Sequence, residues 1–333
     1  MGEVGSLKFS VIMPCYNSEA YVRAAVESVL KQSFFSWELV AINDGSIDTT
    51  LSILNEYAAR DQRIHVFSKP NGGYVSAINA GLERATGDYC IFLGSDDTIA
   101  PDLLKNLDSA FDHAEKPDCI IFRTLLYRNN EKIGCDELTS FTNSVSQFDT
   151  NLAAFSEAYP VHAQILFGRD TSKCYRRATL GSLRMWGRYG FDADGIFSML
   201  FGHRSKSFLA LPIDGYLWNQ REGSLSSRKS FLEQDCDRVV IWTSFYRTLL
   251  ELPLQEIALQ ERQYLYYFTD VIAKAWYSAD LSKRSIISQA CKTVLYMEQK
   301  TGQTLSIGRE RRIMLRFPLF WKLFIRLFPP KKL

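Results

Sequence analysis

The sequence predicts an α/β fold in which a mostly parallel, doubly wound sheet is followed by a helical extension. The first observation is that short apolar runs alternate with helical patterns over the first third of the 333 residues. The second is that the pattern becomes helical from Phe231 onward. Strands that alternate with helices at this spacing favour a parallel sheet, because each parallel connection needs a crossover.

The first third predicts four strands with three helices between them. Each strand is an apolar run followed by turn residues, and the runs are 9–14, 37–42, 64–67 and 89–93. The helices begin near residues 21, 48 and 74. Asn17 or Ser18 is expected to cap the first helix, and Asp48 the second, which runs through Ala59.

The later part of the chain gives a weaker pattern. Residues 119–127 are predicted as a strand that turns at 129–130, and residues 204–218 as strands around a turn at Pro212. Residues 138–159 give only a weak helical signal. Helical periodicity then predicts an apolar face that consists of Val239, Trp242, Phe245, Tyr246 and Leu249.

Composition indicates a globular protein of two domains, or of one domain with an appendage. Hydrophobic residues make up 46% of the chain and the net charge is +2, which gives no reason to expect a nucleic-acid partner. The seven cysteines lie far apart without zinc-binding spacing, which favours reduced thiols. The first eight residues lack the apolar core of a signal peptide, and no apolar run approaches the roughly 18 residues of a membrane span. We therefore expect a cytoplasmic protein.

Two adjacent carboxylates, Asp96 and Asp97, follow the apolar run 89–93, with two residues between the run and the pair. Acids at the carboxyl edge of an open α/β sheet lie where such sheets bind ligands, and a hard cation with bound phosphates needs one or two carboxylates there. Taken alone, Asp97 and Thr98 would equally serve to cap a helix after Pro101. The motifs upstream of this pair favour ligand binding.

The carboxyl-terminal segment 309–332 is basic and aromatic. It holds eight lysines and arginines against a single acid, Glu310. Placed on a helix after Pro318, its apolar residues share one face and its basic residues lie opposite. This profile is typical of an amphipathic helix on an anionic membrane surface. The alternative is a helix docked on the protein's own core.

Four motifs occur in order along the first hundred residues: 9–17 (FSVIMPCYN), 43–46 (NDGS), 71–73 (NGG) leading to 79–81 (NAG), and 87–88 (GD) leading to 95–97 (SDD). Together they resemble glycosyltransferase family 2. The resemblance is strong over about the first 115 residues and becomes looser toward Gly223. It implies a GT-A fold, which is Rossmann-like, and an inverting transfer of a sugar from a nucleotide-sugar.

The resemblance implies a uridine site. Asp44 ends the second predicted strand beside Gly45 and matches the acid that reads uracil in the family. Its alternative role is to cap the turn at 46–50. The other residues carried over to nucleotide-sugar binding are Pro14, Tyr16, Asn17, Gly73, Asn79, Ser95, Asp96, Trp218 and Arg221.

Several of these residues have structural alternatives. Tyr16 would equally suit a core position, and the glycines of 71–73 a plain loop before a helix. Arg221 belongs to a segment that resembles the family's Arg-x-Gly-Ser ending and would reach the diphosphate, while Trp218 would stack on a sugar. Either of the two would otherwise be a surface or core residue.

The family's acidic motif is usually Asp-x-Asp, and here Gly94 takes the first position. The resemblance therefore assigns Mg²⁺ or Mn²⁺ to Asp96 and Asp97 without deciding which of them coordinates the ion directly. A second departure is Ile78, where many members of the family have an arginine on the phosphate side.

An inverting displacement needs a base on the far side of the sugar from the leaving group. In the family this acid lies about a hundred residues past the metal motif, commonly as Glu-Asp at a helix start. The segment 190–195 (GFDADG) resembles it, with Ala193 in the Glu position. Asp194 is therefore the expected base and Asp192 the alternative, unless either one simply caps the following helix.

These features predict a metal-assisted hexosyltransferase that uses a UDP-sugar. By the resemblance, the acceptor is a lipid-linked or oligosaccharide glycan in capsule, exopolysaccharide or O-antigen synthesis, at the inner face of the cytoplasmic membrane. The alternative is a nucleotide-sugar-binding protein that has lost catalysis, which Gly94, Ile78 and Ala193 support. A nicotinamide dehydrogenase is disfavoured because no GxGxxG motif follows the first strand.

The same reasoning predicts three regions. Residues 1–115 would bind the nucleotide-sugar and residues 116–228 the acceptor, as two halves of one GT-A domain. Residues 229–333 would form a helical extension that ends in the membrane-associating segment 309–332.

Overall fold

The computed structural model has an α/β fold built on a ten-stranded sheet. The chain forms two compact units, Met1–Arg228 and Lys229–Leu333. The residues that the structure describes are 7–110, 116–128, 131–135, 146–149, 170–186, 192–221, 232–251, 265, 268, 269, 271–273, 275, 284–302 and 309–316.

The described strands belong to the first unit. They are β1 (Phe9–Cys15), β2 (Trp37–Asn43), β3 (Ile64–Ser68), β4 (Tyr89–Phe92), β5 (Thr98–Ile99), β6 (Cys119–Arg128), β7 (Glu131–Cys135), β8 (Ser146–Asp149), β9 (Lys173–Arg176) and β10 (Ser207–Asn219).

Helices occur in both units. Those of the first unit are α1 (Val22–Leu30), α2 (Thr50–Ala58), α3 (Tyr74–Arg84), α4 (Leu103–Ala110), α5 (Arg177–Leu180) and α6 (Ala193–Arg204). Those of the second unit include α7 (Leu232–Glu251), α8 (Arg284–Thr301) and α9 (Arg309–Arg316).

The first half of the sheet is parallel. Strands β3, β2, β1 and β4 lie side by side in that order, and Phe9 pairs with Trp37 on one side and Tyr89 on the other. All seven residues of β2 are buried, as expected for a parallel strand covered on both faces. Because the four strands are parallel, their carboxyl ends meet at one edge of the sheet.

The second half of the sheet is mixed. Strand β9 runs antiparallel to both β4 and β6, and β10 runs parallel to β6. Strands β6 and β10 therefore run in the direction of β4. The amino end of β9 and the carboxyl end of β10 consequently lie at the same edge as the carboxyl ends of β1, β2 and β4.

Helix α3 lies directly on the parallel half of the sheet. Gly81 permits this close contact, since a Cβ at that position would lie 2.3 Å from Cγ2 of Ile12 in β1. Ile78 is fully buried on the same helix. An arginine at position 78 would lose its hydration there. The departure from the family pattern at this position is therefore explained by the packing of the helix on the sheet.

The predicted fold class is confirmed, but the predicted turn at Pro212 is wrong. Strand β10 continues through the proline as one strand. Its pairing with β6 shifts register between Ala210 and Tyr216, around the proline. A proline has no amide hydrogen for the ladder, and the irregular pairing accommodates it without ending the strand.

Two further local predictions need correction. Helix α1 begins after Tyr21 and has no side-chain cap from Asn17 or Ser18; the Ser18 carbonyl instead accepts the amides of Tyr21 and Val22. The weak helical signal at 138–159 covers β8, a strand that pairs with β10, and the rest of that span lies outside the described residues. The Asp48 carboxylate does accept the Thr50 amide at 3.0 Å, where α2 begins.

In the second unit, the described residues are helical except for Gly302. The apolar face predicted on α7 is buried at Val239, Trp242, Phe245, Tyr246 and Leu249. Helix α9 also packs within this unit: Met314 and Leu315 are buried, and Arg312 Nη1 lies 2.6 Å from a carboxylate oxygen of Glu298 in α8. The first part of the basic segment 309–332 is therefore docked on protein, and residues 317–332 lie outside the described residues.

Two properties concern both units. All six cysteines whose side chains the structure describes are free thiols. None of the described helices combines the length and the apolar character needed to cross a bilayer.

Candidate active site

Polar side chains from separate parts of the chain converge at the edge where the parallel strands end. Asp44 follows β2, the residues 95–97 follow β4, and Arg221 lies just beyond β10. The antiparallel strand β9 begins at the same edge and brings Asp170 there. Sequence spacing alone does not show this meeting, because it depends on the order of the strands in the sheet.

Asp44 fastens the loop 71–73 to the end of β2. Its buried carboxylate accepts hydrogen bonds from Lys69 Nζ at 2.5 Å, from the Gly72 amide at 3.0 Å and from the Gly73 amide at 2.8 Å. Gly73 has a φ of 83°, in the region that favours glycine. The turn-capping alternative for Asp44 is not observed, since the Ser46 amide donates to Asn43 instead.

The loop after β1 is bonded to its neighbours through Asn17 and Ser18. Asn17 Oδ1 accepts the Ile47 amide at 3.0 Å, and Ser18 Oγ lies 2.8 Å from Ser95 Oγ after β4. Pro14 is half-buried beside them. Tyr16 is 51% exposed, so its ring is at the surface and the core alternative for it is wrong.

Asp97 is buried and held within the protein. Tyr216 Oη donates to its Oδ2 at 2.5 Å, and the Asn219 amide donates to its Oδ1 at 2.7 Å. The Gly94 amide in turn donates to Tyr216 Oη at 3.1 Å. The helix-cap alternative for Asp97 is not observed, because strand β5 intervenes before α4.

Asp96 is half-buried and paired with Arg221. Both Nε and Nη2 of Arg221 lie 2.8 Å from Asp96 Oδ2. The guanidinium also lies 4.6 Å from the centroid of the Tyr21 ring, close enough for a cation–π interaction. The sequence did not predict this ion pair, and the predicted contact of Arg221 with the diphosphate stays a prediction.

The residues at this edge fit a divalent cation with bound phosphates. Among the residues that the structure describes, no three His, Cys, Asp or Glu side chains come together as a metal cage. Mg²⁺ does not need such a cage, since it keeps several positions for water and phosphate oxygens. Asp96 is the better placed of the two acids, because Asp97 has both carboxylate oxygens bonded to the protein.

Because Gly94 has no side chain, the carboxylates of Asp96 and Asp97 can lie close to its Cα. A Cβ at this position would lie 2.8 Å from Asp97 Oδ2, 3.1 Å from Asp96 Oδ1 and 3.3 Å from Tyr216 Oη. Any larger residue would have to displace at least one of these oxygens. In this chain, the placement of the other two acids therefore favours glycine at the first position of the acidic motif.

Asp194 lies in the first turn of helix α6, and Asp192 immediately precedes the helix with a φ of 64°. The side chain of Asp192 makes no capping hydrogen bond. Burial, and next the negative charge of Asp170, raise the pKa of Asp194 to about 7. A carboxylate with a pKa close to neutral is well suited to accept a proton as a general base.

A buried polar cluster beside Asp194 was not predicted from the sequence. Its buried members are Asp170 before β9, Lys173 and Tyr175 in β9, and Ser198 in α6, and the half-buried Tyr74 at the start of α3 joins them. The Tyr74 hydroxyl donates to the Asp170 carboxylate. The one signal in the sequence is a lysine directly before the apolar pair Cys174 and Tyr175, which is unusual in a buried strand.

Two other predicted site residues have structural contacts. Both polar atoms of the Asn79 side chain bind the main chain of Met185, at 3.0 Å to its carbonyl oxygen and 2.8 Å to its amide. Trp218 is partly buried against the core of the first unit. Ala193, in the position of the family's Glu, is fully buried.

Comparisons with known proteins show sequence similarity to glycosyltransferases. Residues 10–151 match the family model described as glycosyl transferase family 2. A protein of Haemophilus influenzae described as an uncharacterized glycosyltransferase is 46% identical over 97 residues, which cover 29% of this chain and 39% of that protein. Chondroitin synthase of Pasteurella multocida is 40% identical over 96 residues, which cover 29% of this chain and 10% of the synthase. The chain thus spans well under half the length of these curated relatives.

The fold is similar to that of Staphylococcus aureus TarS 1-349, solved in complex with UDP-GlcNAc. The TM-score is 0.66 at 21% sequence identity, over 95% of this chain and 88% of that chain. This likeness confirms the predicted GT-A fold. The match over residues 10–151, which is less than half of the chain, shows that this part is similar to glycosyl transferase family 2.

Proposed function

We propose that this protein is an inverting glycosyltransferase that moves a sugar from a UDP-sugar to a glycan acceptor with the help of Mg²⁺ or Mn²⁺. One observation carries the proposal: residues suited to the donor and a residue suited to catalysis lie at one edge of the sheet. Asp44 and Asp96 are suited to the nucleoside and the diphosphate, and Asp194, with its raised pKa, is suited to act as a base.

The donor would lie along the ends of β1, β2 and β4. Pro14, Tyr16 and Asn17 would line the nucleoside, and Asp44 would accept a base N–H while it holds Gly73. A carboxylate has about four lone-pair sites, so its present hydrogen bonds leave capacity for this one. The UDP and UDP-GlcNAc complexes of TarS support uridine as the base.

Asp194 would act as the general base. The acceptor oxygen forms a bond to the anomeric carbon, and the proton of that hydroxyl passes to the Asp194 carboxylate. On the opposite face the bond from the anomeric carbon to the phosphate oxygen breaks, and UDP leaves with its electron pair. Attack opposite to the leaving group inverts the anomeric configuration. Asp192, at the entry to the same helix, is the alternative base.

The acidic loop and Arg221 would hold the diphosphate. A divalent cation bound there would neutralise the negative charge that develops on the leaving UDP. Asp96 would be its ligand, with Asp97 keeping the loop in place from within the protein. Arg221 would exchange its bond to Asp96 for a bond to a phosphate oxygen, and Ser95 and Trp218 lie close by in the chain for the donor sugar.

The names of the relatives support an acceptor class. One protein that matches 29% of this chain is named chondroitin synthase, and chondroitin is a polysaccharide. We therefore propose a role in surface polysaccharide synthesis, with a lipid-linked or oligosaccharide acceptor bound by residues 116–228. Residues 1–115 would be the donor-binding half of the domain.

The test begins with ligand binding. Thermal unfolding of the full chain is recorded with a panel of UDP-, GDP- and TDP-sugars, each with Mn²⁺, with Mg²⁺ or with EDTA. A ligand that binds only the folded state raises its stability, so a UDP-sugar is expected to raise the melting temperature only in the presence of the metal. A shift that persists in EDTA would contradict the metal role of Asp96.

Catalysis is tested with the donor that binds. Asp194→Asn should abolish sugar transfer and the release of UDP that accompanies it, while binding of UDP remains nearly unchanged, and Asp192→Asn is the matched control. Full turnover by Asp194→Asn would remove Asp194 from the mechanism. Binding without any turnover in the wild type, across acceptors, would favour the alternative of a nucleotide-sugar-binding protein that has lost catalysis, to which Gly94 and Ala193 point.

We also propose that the basic segment 309–332 associates with the inner face of the cytoplasmic membrane. Because Met314 and Leu315 are buried, only the part after Arg316 would be available for this contact. A chain ended after Arg316 should lose binding to anionic phosphatidylglycerol vesicles and keep its melting temperature. A chain ended after Gly308 should lose stability as well. Undiminished vesicle binding by the first variant would contradict the membrane role.

A further inference from the structure

We propose that Asp170 is a positioning residue for Asp194, and that the hydroxyl of Tyr74 holds Asp170 in that role. The inference rests on the glycosyl transfer proposed for this site, in which Asp194 accepts the proton of the acceptor. It assigns a role to the polar cluster around Asp170, for which the proposed function has no use in holding the nucleoside or the cation.

The first step is that Asp170 is fixed from two sides. The Tyr74 hydroxyl donates to its carboxylate. The Tyr175 hydroxyl donates to its main-chain oxygen at 3.0 Å. Asp170 is only 3% exposed, so water cannot easily replace these bonds.

The second step is that the same cluster reaches the helix of Asp194. Tyr175 Oη lies 3.0 Å from Oγ of Ser198, which is fully buried in α6, four residues after Asp194. A tyrosine hydroxyl has one proton, which Asp170 receives, so Ser198 is the donor to Tyr175. The position of Asp170 is thereby linked to helix α6 through hydrogen bonds within the core.

The third step is the charge around Asp194. The charged and titratable groups that act on it are Asp170 before β9, Lys173 in β9, and Asp192 at the start of its own helix. Tyr74 from α3 and Tyr175 from β9 also interact electrostatically with Asp194. Lys173 is fully buried and opposes the two acids, while burial raises the pKa of Asp170 itself.

Two carboxyl groups that interact, here the buried Asp170 and the half-buried Asp194, cannot both ionise as readily as either one alone. The negative charge of Asp170 therefore increases the proton affinity of Asp194, which is the property that a base needs when it takes a proton from a sugar hydroxyl. Tyr74 also directly follows Gly73, whose amide binds Asp44. Gly73 thus contacts the proposed nucleoside-binding residue Asp44, and the next residue, Tyr74, contacts Asp170 beside the proposed base.

The inference is tested without any ligand, by the pH dependence of unfolding of the full chain. The folded pKa of Asp194, about 7, is above its ordinary value of 3.8. Its protonated form therefore favours the folded state, and this stabilisation is lost as pH rises from about 4 to about 7. The difference in unfolding free energy between wild type and Asp194→Asn, measured in denaturant from pH 4 to pH 8, isolates this titration.

The same difference is then measured in the Asp170→Asn background. We expect the stabilisation by protonated Asp194 to be lost at a pH about one unit or more below that of the wild type, because the negative charge of Asp170 is gone. Asp170→Glu retains the charge and should restore the wild-type midpoint. Tyr74→Phe should shift the midpoint in the same direction as Asp170→Asn but by less, and it serves if Asp170→Asn does not fold.

Matched controls lie at the opposite edge of the sheet. Tyr89→Phe removes a buried hydroxyl that donates to the Pro117 carbonyl at 2.7 Å. Asp118→Asn removes a buried acid that accepts the Thr179 hydroxyl at 2.5 Å. Both should lower stability without moving the Asp194 midpoint.

An unchanged midpoint in both the Asp170→Asn and the Tyr74→Phe backgrounds would overturn the inference. So would a shift of equal size in the two controls. Absence of UDP release by the wild-type protein would count against the proposed function instead, because the titration needs neither donor nor acceptor.

Discussion

The hydroxyl of Tyr216 donates a 2.5 Å hydrogen bond to the buried carboxylate of Asp97, a residue 119 positions earlier in the chain. The Gly94 amide donates to the same hydroxyl oxygen, and the Asn219 amide to the other oxygen of Asp97. Burial, and next the charge of Asp97, raise the pKa of Tyr216 well above its usual value, so Tyr216 remains a donor. The acidic loop after β4 is thereby fastened to β10.

Replacement of Tyr216 by phenylalanine should lower the unfolding free energy by about 2 kcal/mol, because Oδ2 of the buried Asp97 would lose the hydrogen bond that Tyr216 donates. The measurement is chemical denaturation at pH 7. Tyr89→Phe is the control, since its hydroxyl donates to a neutral carbonyl and its loss should cost about 1 kcal/mol. Equal losses in the two variants would contradict the anchoring role of the Tyr216–Asp97 bond.

Introducing an acid at position 94 should weaken the binding of UDP with Mn²⁺, although the family pattern has an acid there. Gly94→Ala places a Cβ against Asp97 and Asp96, and Gly94→Asp adds a third negative charge. We expect affinity for UDP with Mn²⁺, measured by titration calorimetry, to fall by about tenfold for alanine and more for aspartate. Gly134→Ala is the control, because a Cβ there would meet no atom within 4 Å. Tighter binding by Gly94→Asp would show that the site lacks an acid.

Removal of the Arg221 side chain should have opposite effects on two ligands. The guanidinium forms an ion pair with Asp96, with 2.8 Å between Nη2 and Oδ2. It would therefore compete with a divalent cation for that carboxylate. Arg221→Ala should therefore bind Mn²⁺ alone several-fold more tightly, while it binds UDP with Mn²⁺ several-fold more weakly. Titration calorimetry measures both affinities, and Arg23→Ala, which breaks an exposed pair with Glu56, is the control. Unchanged binding of Mn²⁺ alone would rule out the competition.

Glu38 should contribute to the acid sensitivity of the fold. Burial alone would raise the pKa of Glu38, but hydrogen bonds from Lys8, Ser10 and Thr86 outweigh it and lower the pKa to about 2. Because the folded pKa is below the ordinary value of 4.5, the ionised form stabilises the fold, and this stability is lost as pH falls from about 4.5 to about 2.

The Glu38→Gln variant should be less stable than wild type at pH 7, with a difference that narrows below pH 4.5. Unfolding in denaturant from pH 2.5 to pH 7 measures it. Glu56→Gln, at an exposed ion pair, should show a small difference at every pH. A difference for Glu38→Gln that does not change with pH would show that this carboxylate is not a source of acid sensitivity.

The residues that we propose for donor binding were largely predictable, because the signals for their positions are local. Each parallel strand is an apolar run, and the residue types that follow it, such as Asp44 and Asp96, lie within a few positions of the strand end. In a parallel sheet these ends must share one edge, so motif order along the chain is enough to predict which of them meet. The turn assigned to Pro212 failed for the opposite reason, since its neighbours in β6 decide whether a proline can stay within a strand.

The α/β class, the strand ends that carry Asp44 and the acidic pair, and the helix that carries Asp194 were all predictable from local patterns in the sequence. Three contacts were not: Asp97 faces Tyr216, Asp96 pairs with Arg221, and Tyr74 binds Asp170 across 96 positions of chain. They were not predictable because periodicity reports only which side of an element is buried. Which distant side chain lies opposite depends on strand order and direction, and here on the antiparallel strand β9 that brings Asp170 to the site.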